Sequence, residues 1–146
     1  MIGLLQRVTE AEVRISGNPV GVIGPGLLVL VGFQRDDRGN RLPRFVERIL
    51  NYRIFADEKG RMNRSLRDTG GALLLVPQFT LAADTSSGNR PSFTPAAPPE
   101  EGERLFEAMI SLARSELPEA QTGRFGAHMQ VTLVNDGPVT FWLEVH

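Results

Sequence analysis

Residues 27–33, Leu-Leu-Val-Leu-Val-Gly-Phe, leave this chain fewer folding options than any other stretch of it. A strand with one wet face alternates apolar and polar side chains. This run is apolar at every position from Leu27 to Val31, so it demands cover on both faces. Gly24-Pro25-Gly26 isolates it as a separate strand, and it is far too short to span a bilayer. The rest of the chain must therefore supply two covering layers.

One layer is helical. Leu42, Phe45, Val46, Ile49 and Leu50 recur at i, i+3, i+4, i+7 and i+8, the core stripe of an amphipathic helix. Asp37 to Asn40 are its candidate caps, and Pro43 is tolerable only in its first turn. A second helix opens at Pro98-Pro99-Glu100-Glu101, with acidic residues where the helix dipole favours them. It buries Leu105, Phe106, Met109, Ile110, Leu112 and Ala113 and stops at Pro118. Strands are expected at Ile2–Val8, Ala11–Ile15, Val20–Ile23, Ala72–Val76, Met129–Val134 and Val139–Val145, with a turn at Gly17-Asn18-Pro19. Asp57 to Asn63 and Ser65 to Gly71 read as short polar segments. Residues 82–99 read as a long loop, a length that in a compact domain usually serves function or mobility. With no internal repeat and no linker, residues 1–146 are expected to form one α+β domain. Its sheet is expected to be mainly antiparallel and barrel-like, carrying two main helices.

Composition excludes several kinds of chemistry. There is no cysteine, hence no thiol nucleophile and no disulfide frame. The two histidines, His128 and His146, without cysteine or an HExxH spacing, give no zinc-site pattern, and no metal or cofactor is expected. The first residues lack a signal-peptide layout, so a cytoplasmic protein without membrane attachment is expected. The net charge of −1 supplies no bulk attraction to DNA or RNA. Its distribution is uneven: residues 1–73 hold 12 basic against 8 acidic side chains, and residues 74–146 hold 4 against 9. Such polarity fits a solvated arginine face, and it also fits a side that faces phosphates.

The segments that could carry chemistry are nearly free of titratable groups. Gln78-Phe79-Thr80 ends an apolar run and offers one hydroxyl and one amide, yet no base stands at a recognisable spacing from Thr80. Asp136-Gly137 between two apolar runs reads first as a hairpin turn, because glycine accepts positive φ. Pro138 works against that reading, since it cannot donate to a ladder. A cis Gly137-Pro138 bond would align two carbonyls on one side of the chain, but spacing leaves the isomer open. If this protein is an enzyme, main-chain groups and the substrate itself must do much of the work.

Taken together, the segments resemble the D-aminoacyl-tRNA deacylase (D-Tyr-tRNA(Tyr) deacylase) family. The matching pieces are Gln6-Arg7-Val8, Leu50-Asn51-Tyr52-Arg53-Ile54-Phe55, and Gly60-Arg61-Met62-Asn63 followed by Ser65. Then come Gln78-Phe79-Thr80-Leu81, Gly88-Asn89-Arg90-Pro91-Ser92-Phe93, Phe125-Gly126-Ala127 with Met129, and Asn135-Asp136-Gly137-Pro138-Val139-Thr140. Each piece is weak; the ordered set is specific and covers essentially the whole chain. Two departures stand out: Pro77 occupies a position where the family has serine, and Arg61 one where lysine is commoner.

The resemblance implies a homodimeric carboxylic ester hydrolase that frees D-amino acids from the 3′ end of tRNA, with glycine as a further substrate. In it Gln78, Phe79 and Thr80 form the catalytic segment and face the ester. A cis Gly137-Pro138 pair reaches in from the other subunit, holds the α-ammonium and leaves no room for an L side chain. Arg7 steadies that loop, and Met129 lines the pocket. Two other readings remain: an editing deacylase for mischarged L-amino acids, and a silent module that binds RNA ends.

Overall fold

The structure, a computed structural model, describes residues 1–146. At the centre of the sheet is β1 (Ile2–Ile15), a single strand where two were expected. β1 pairs antiparallel with β3 (Gly26–Gly32) through its first half and with β2 (Asn18–Ile23) through its second. Its other edge carries β8 (Gln130–Glu144) along nearly its whole length. The interior of the sheet is parallel: β3 beside β6 (Ala72–Pro77), and β6 beside the short β7 (Gln121–Thr122). Each parallel step needs a crossover, and the helices supply it. α1 (Leu42–Asn51) lies between β3 and β6, and α3 (Pro99–Glu116) between β6 and β7. β2 folds back against β6 and β7, where Gly21 approaches the Thr122 carbonyl, so the sheet curls into a nearly closed, barrel-like form.

The apolar run has cover on both faces. Leu27, Val29 and Val31 join Leu73 and Leu75 of β6 against the helices, in a core with Phe45, Ile49, Leu105, Phe106 and Met109. On the opposite face Leu28 meets Leu74 and Val76, together with Val8, Val13 and Ile23. Alternation of side chains along β3 and β6 divides one hydrophobic run between two cores.

Four expectations need revision. The first turn of α1 takes no side-chain cap; Asp37 instead accepts from the Met1 ammonium at 2.7 Å and from the Gln34 N–H at 2.7 Å. Within the polar segment, α2 (Leu66–Thr69) forms one helical turn, closed by a Ser65–Asp68 capping box and a left-handed Gly70. It follows the small hairpin of β4 (Phe55–Ala56) and β5 (Met62–Arg64). The 82–99 stretch is pinned rather than loose, because Asp84 and Ser92 exchange both backbone hydrogen bonds at 2.8 and 2.9 Å. Finally, Asn135 to Thr140 is no hairpin: both flanks pair with β1, so the segment is an outward bulge within one strand. No helix is long and apolar enough to cross a membrane.

Candidate active site

Two places on the surface gather the residues singled out in the sequence. The first is an apolar pocket of about 450 Å³ beyond the carboxyl ends of the parallel strands β3 and β6. Open sheets commonly bind ligands at that end. Val31 and Phe33, Val76 to Phe79, and the 125–129 segment line it, with Ala97, Pro99 and Gly102 closing the helix side. Met129 and Gln78-Phe79 therefore meet in one cavity. Its only titratable lining residue is the exposed His128.

Local geometry fixes Gln78. Its N–H donates to the Val31 carbonyl at 2.7 Å, extending the parallel ladder by one bond. Gly32 is what permits this approach: a Cβ there would sit 2.9 Å from the Gln78 carbonyl oxygen and 3.0 Å from Leu81. After Gln78 the chain tightens into a 3₁₀ turn, Phe79–Ala82. The N–H groups of Phe79 and Thr80 open that turn, where no preceding helical carbonyl exists to receive them. The Gln78 side-chain amide donates to the Thr80 hydroxyl at 2.5 Å, and Phe79 packs edge-on against Phe93 with ring centroids 5.2 Å apart. Both rings are exposed. Pro77 lacks an N–H on the side that faces the continuation of β7. Gly123 N–H still donates to the Leu75 carbonyl at 2.8 Å, and the proline, which offers no next donor, ends the ladder there.

The second place is the bulge. Between the Gln6↔Thr140 and Val8↔Asn135 pairs, β1 advances two residues while β8 advances five. Asn135 closes the neck of this bulge: its Oδ1 accepts from Val139 N–H at 2.6 Å, and its Nδ2 donates to the Thr140 hydroxyl at 2.9 Å. Gly137 has φ +141°, a conformation that L side chains rarely adopt, and a Cβ there would lie 2.6 Å from the Val139 side chain. The Gly137-Pro138 bond is cis, and both residues are exposed. Arg7 clamps the bulge from below. Its Nε donates to the Asp136 carbonyl and its Nη1 to the Ile54 carbonyl, both at 2.9 Å.

Within one chain these two places do not meet. Arg7 stands opposite Leu27 on β3, whereas Gln78 lies against Gly32 at the far end of that strand. Five residues of strand at about 3.3 Å each put roughly 16 Å between them. Gln78, Phe79, Thr80 and Met129 form one group, and Arg7, Gly137 and Pro138 another. Phe33, Ala97, Pro99 and Gly102 were not foreseen as pocket residues; they come from two crossovers, and no sequence spacing connects them.

Fold and site together define an α+β protein whose candidate site is lined by apolar side chains and main chain, with His128 its one titratable residue. The chain belongs to the D-Tyr-tRNA(Tyr) deacylase family, whose model matches residues 4–144. It is 65% identical over 145 residues to the D-aminoacyl-tRNA deacylase of Thioalkalivibrio sulfidiphilus, covering 99% of this chain and 97% of that one. Among solved structures it resembles a c-Myc DNA unwinding element binding protein, with TM-score 0.94 and 38% identity over 100% of this chain and 99% of the other. It also shares the fold of a "probable eukaryotic D-amino acid tRNA deacylase", with TM-score 0.88 and 16% identity over 99% and 98% of the two chains.

Proposed function

We propose that this chain hydrolyses the ester joining a D-amino acid to the 3′ end of tRNA, in the cytoplasm and as a homodimer. The Gly137-Pro138 bulge of one subunit completes the pocket of the other. The observation that carries this reading is the separation just described: two exposed sets of main-chain groups, both within the segments that match the family, lie roughly 16 Å apart in one chain. A second copy of the chain can bring them together.

The chemistry follows from the groups available. The free N–H groups of Phe79 and Thr80 suit the oxyanion of a tetrahedral intermediate, where preorganised donors contribute most. The carbonyls of the bulge suit the substrate's α-ammonium. A wall of backbone so close to Cα rejects an L side chain by collision, and a D side chain points away from it. Glycine has no side chain to exclude and is accepted. An aminoacyl ester is already reactive, so water positioned with help from the RNA's own 2′-hydroxyl suffices, and no triad is needed. Met129 forms an apolar wall, and Arg7 holds the bulge at its working height.

The decisive experiment compares deacylation of D- and L-aminoacyl-tRNA carrying the same side chain. Rapid release of the D-amino acid with L-aminoacyl-tRNA untouched is expected. Equal release of both, or release of the L form alone, would overturn the chiral reading. Binding without release would favour the silent RNA-end module.

A further inference from the structure

The segment leaving β3 and the segment entering α3 form a short ribbon. Gln34 bridges Ala96 antiparallel; Arg35 N–H donates to the Pro95 carbonyl at 2.8 Å, and Ala97 N–H to the Phe33 carbonyl at 2.9 Å. One end of this ribbon, Phe33 and Ala97, lines the apolar pocket. The other end, Gln34, Arg35, Thr94 and Pro95, lines a second depression of about 650 Å³. The two cavities are thus back to back, separated by about two residues of extended chain, or roughly 7 Å.

The second depression differs in chemistry. Its walls hold Arg35, Arg38 and Arg41 against Asp36 and Asp37. Asp37 is buried and already neutralised by the Met1 ammonium. The remaining three guanidinium groups share the depression with the exposed Asp36 carboxylate and with His146, the last residue of the sequence, in a chain whose net charge is −1. None of the three arginines has a carboxylate partner: the ion pairs of the chain involve other residues, and nearby Glu101 is bound by Arg104. Two of them are nevertheless held in place. Arg35 Nε donates to the Thr94 carbonyl at 3.1 Å, and Arg38 Nη1 to the Asp37 carbonyl at 2.9 Å. A guanidinium has five donors, so these bonds orient the heads and leave most donors free. Clustered, oriented, unpaired arginines beside an apolar pocket match a chain of phosphate oxygens that continues from a ligand in that pocket.

We propose that the Arg35–Arg38–Arg41 groove grips the phosphate backbone of the RNA strand just before the terminal nucleotide, so that the ester is delivered into the pocket by charge as well as by shape. This inference rests on the deacylase reading above. It assigns a role to the basic excess of residues 1–73 that the pocket itself does not use.

The test measures binding and turnover side by side on the full-length protein. An RNA hairpin with a single-stranded 3′ tail is titrated by fluorescence anisotropy at several salt concentrations. Three proteins are compared: the unaltered chain, the triple variant Arg35→Gln/Arg38→Gln/Arg41→Gln, and Arg41→Gln alone, whose guanidinium makes no intramolecular bond. Hydrolysis is then measured on D-aminoacyl-tRNA and on a D-aminoacyl ester of adenosine, which lacks the upstream phosphates. The triple variant is expected to bind the hairpin about tenfold or more weakly, with a salt slope shallower by about two to three. It should lose a similar factor in kcat/KM on tRNA and none on the adenosine ester. Arg41→Gln should lose about one unit of slope. An unchanged salt slope, or an equal loss on the ester, overturns the groove. If the unaltered protein hydrolyses neither substrate, the deacylase reading falls, and the hairpin titration still decides whether the groove holds RNA. Tighter binding to an acidic protein than to the hairpin would also overturn the assignment.

Discussion

Replacing Arg7 separates two ways in which the bulge could be held. Its side chain is 16% exposed and spans two carbonyls, those of Asp136 and Ile54, each 2.9 Å from a guanidinium nitrogen. It also stands 3.5 Å from the Asp136 carboxylate, which is 54% exposed. A hydrogen bond from a charged donor contributes about 1.5–3 kcal/mol, whereas an exposed ion pair contributes about 0–1 kcal/mol. Water reaching the freed carbonyls lowers the first figure, so Arg7→Ala should cost about 2–3 kcal/mol. Arg7→Lys keeps the charge but its compact ammonium serves one carbonyl at a time, so about half that loss is expected. Asp136→Ala keeps its own carbonyl and should stay within about 0.5 kcal/mol of the unaltered chain. Urea unfolding gives these values from shifts in midpoint at constant slope. In the deacylation assay Arg7→Lys should lower kcat/KM about tenfold, the equivalent of about 1.4 kcal/mol in holding the bulge at its working position. If Asp136→Ala costs as much as Arg7→Ala, the ion pair is the clamp and the argument from backbone carbonyls is wrong.

Thr80→Ala should retain measurable hydrolysis, losing about 0.5–1.5 kcal/mol of transition-state stabilisation for one orienting hydrogen bond; an acyl-enzyme trapped on Thr80 would refute a backbone-driven mechanism. Sedimentation at working concentrations should give about twice the 16.1 kDa chain mass, and a fully active monomer would contradict a composite site. Asp57 and Asp68 are two of four carboxyls, with Asp84 and Glu101, that hydrogen bonds hold below their ordinary range, and they test the acid limb of stability. Asp57 is held below the usual aspartate range chiefly by the Asn63 side chain and the Arg61 N–H, and Asp68 by the backbone and hydroxyl of Ser65. As pH falls the unfolded chain binds protons first, so their contribution is complete above about pH 5 and disappears as pH drops through the folded-state values. Asp57→Asn and Asp68→Asn should each flatten the fall of the urea midpoint between about pH 5 and 2; an unchanged profile in both would remove these carboxyls from the account.

Periodic features of the fold were legible in the residues, and compensated ones were not. The 27–33 run required two-sided burial, and the 3.6-residue stripes of α1 and α3 identified the layer that covers one side. The hairpin reading of Asp136-Gly137 failed because turn chemistry is local, whereas the partner of both flanks, β1, lies more than a hundred residues upstream. The Ser65–Asp68 capping box was visible as a serine followed three residues later by an acid, but its helix is too short to show periodicity. Asp37 satisfied the pattern of a cap and was taken by a stronger partner, the Met1 ammonium. For the site, the Gln78 and Gly137 segments could be listed from motif order. Their distance apart could not, since it depends on where each falls along β3.

The bulge in β8 has a consequence for how such a protein can change over time. Its two flanks are pinned to β1 independently, Asn135 to Val8 and Thr140 to Gln6, and Asn135 ties the neck shut with its own side chain. Within the step only the tip, Asp136 to Pro138, is exposed; Val139 is buried in the core and donates its N–H to Asn135 Oδ1 at 2.6 Å, so the fold fixes the length of the step and both half-strands keep their faces. What the exposed tip presents is thus set apart from the pairing that lets the chain fold, while Val139 at its base belongs to the core. The tip is nevertheless no ordinary surface loop: Gly137 admits no side chain at φ +141° and Arg7 holds the Asp136 carbonyl, so exposure and constraint coincide in the same three residues.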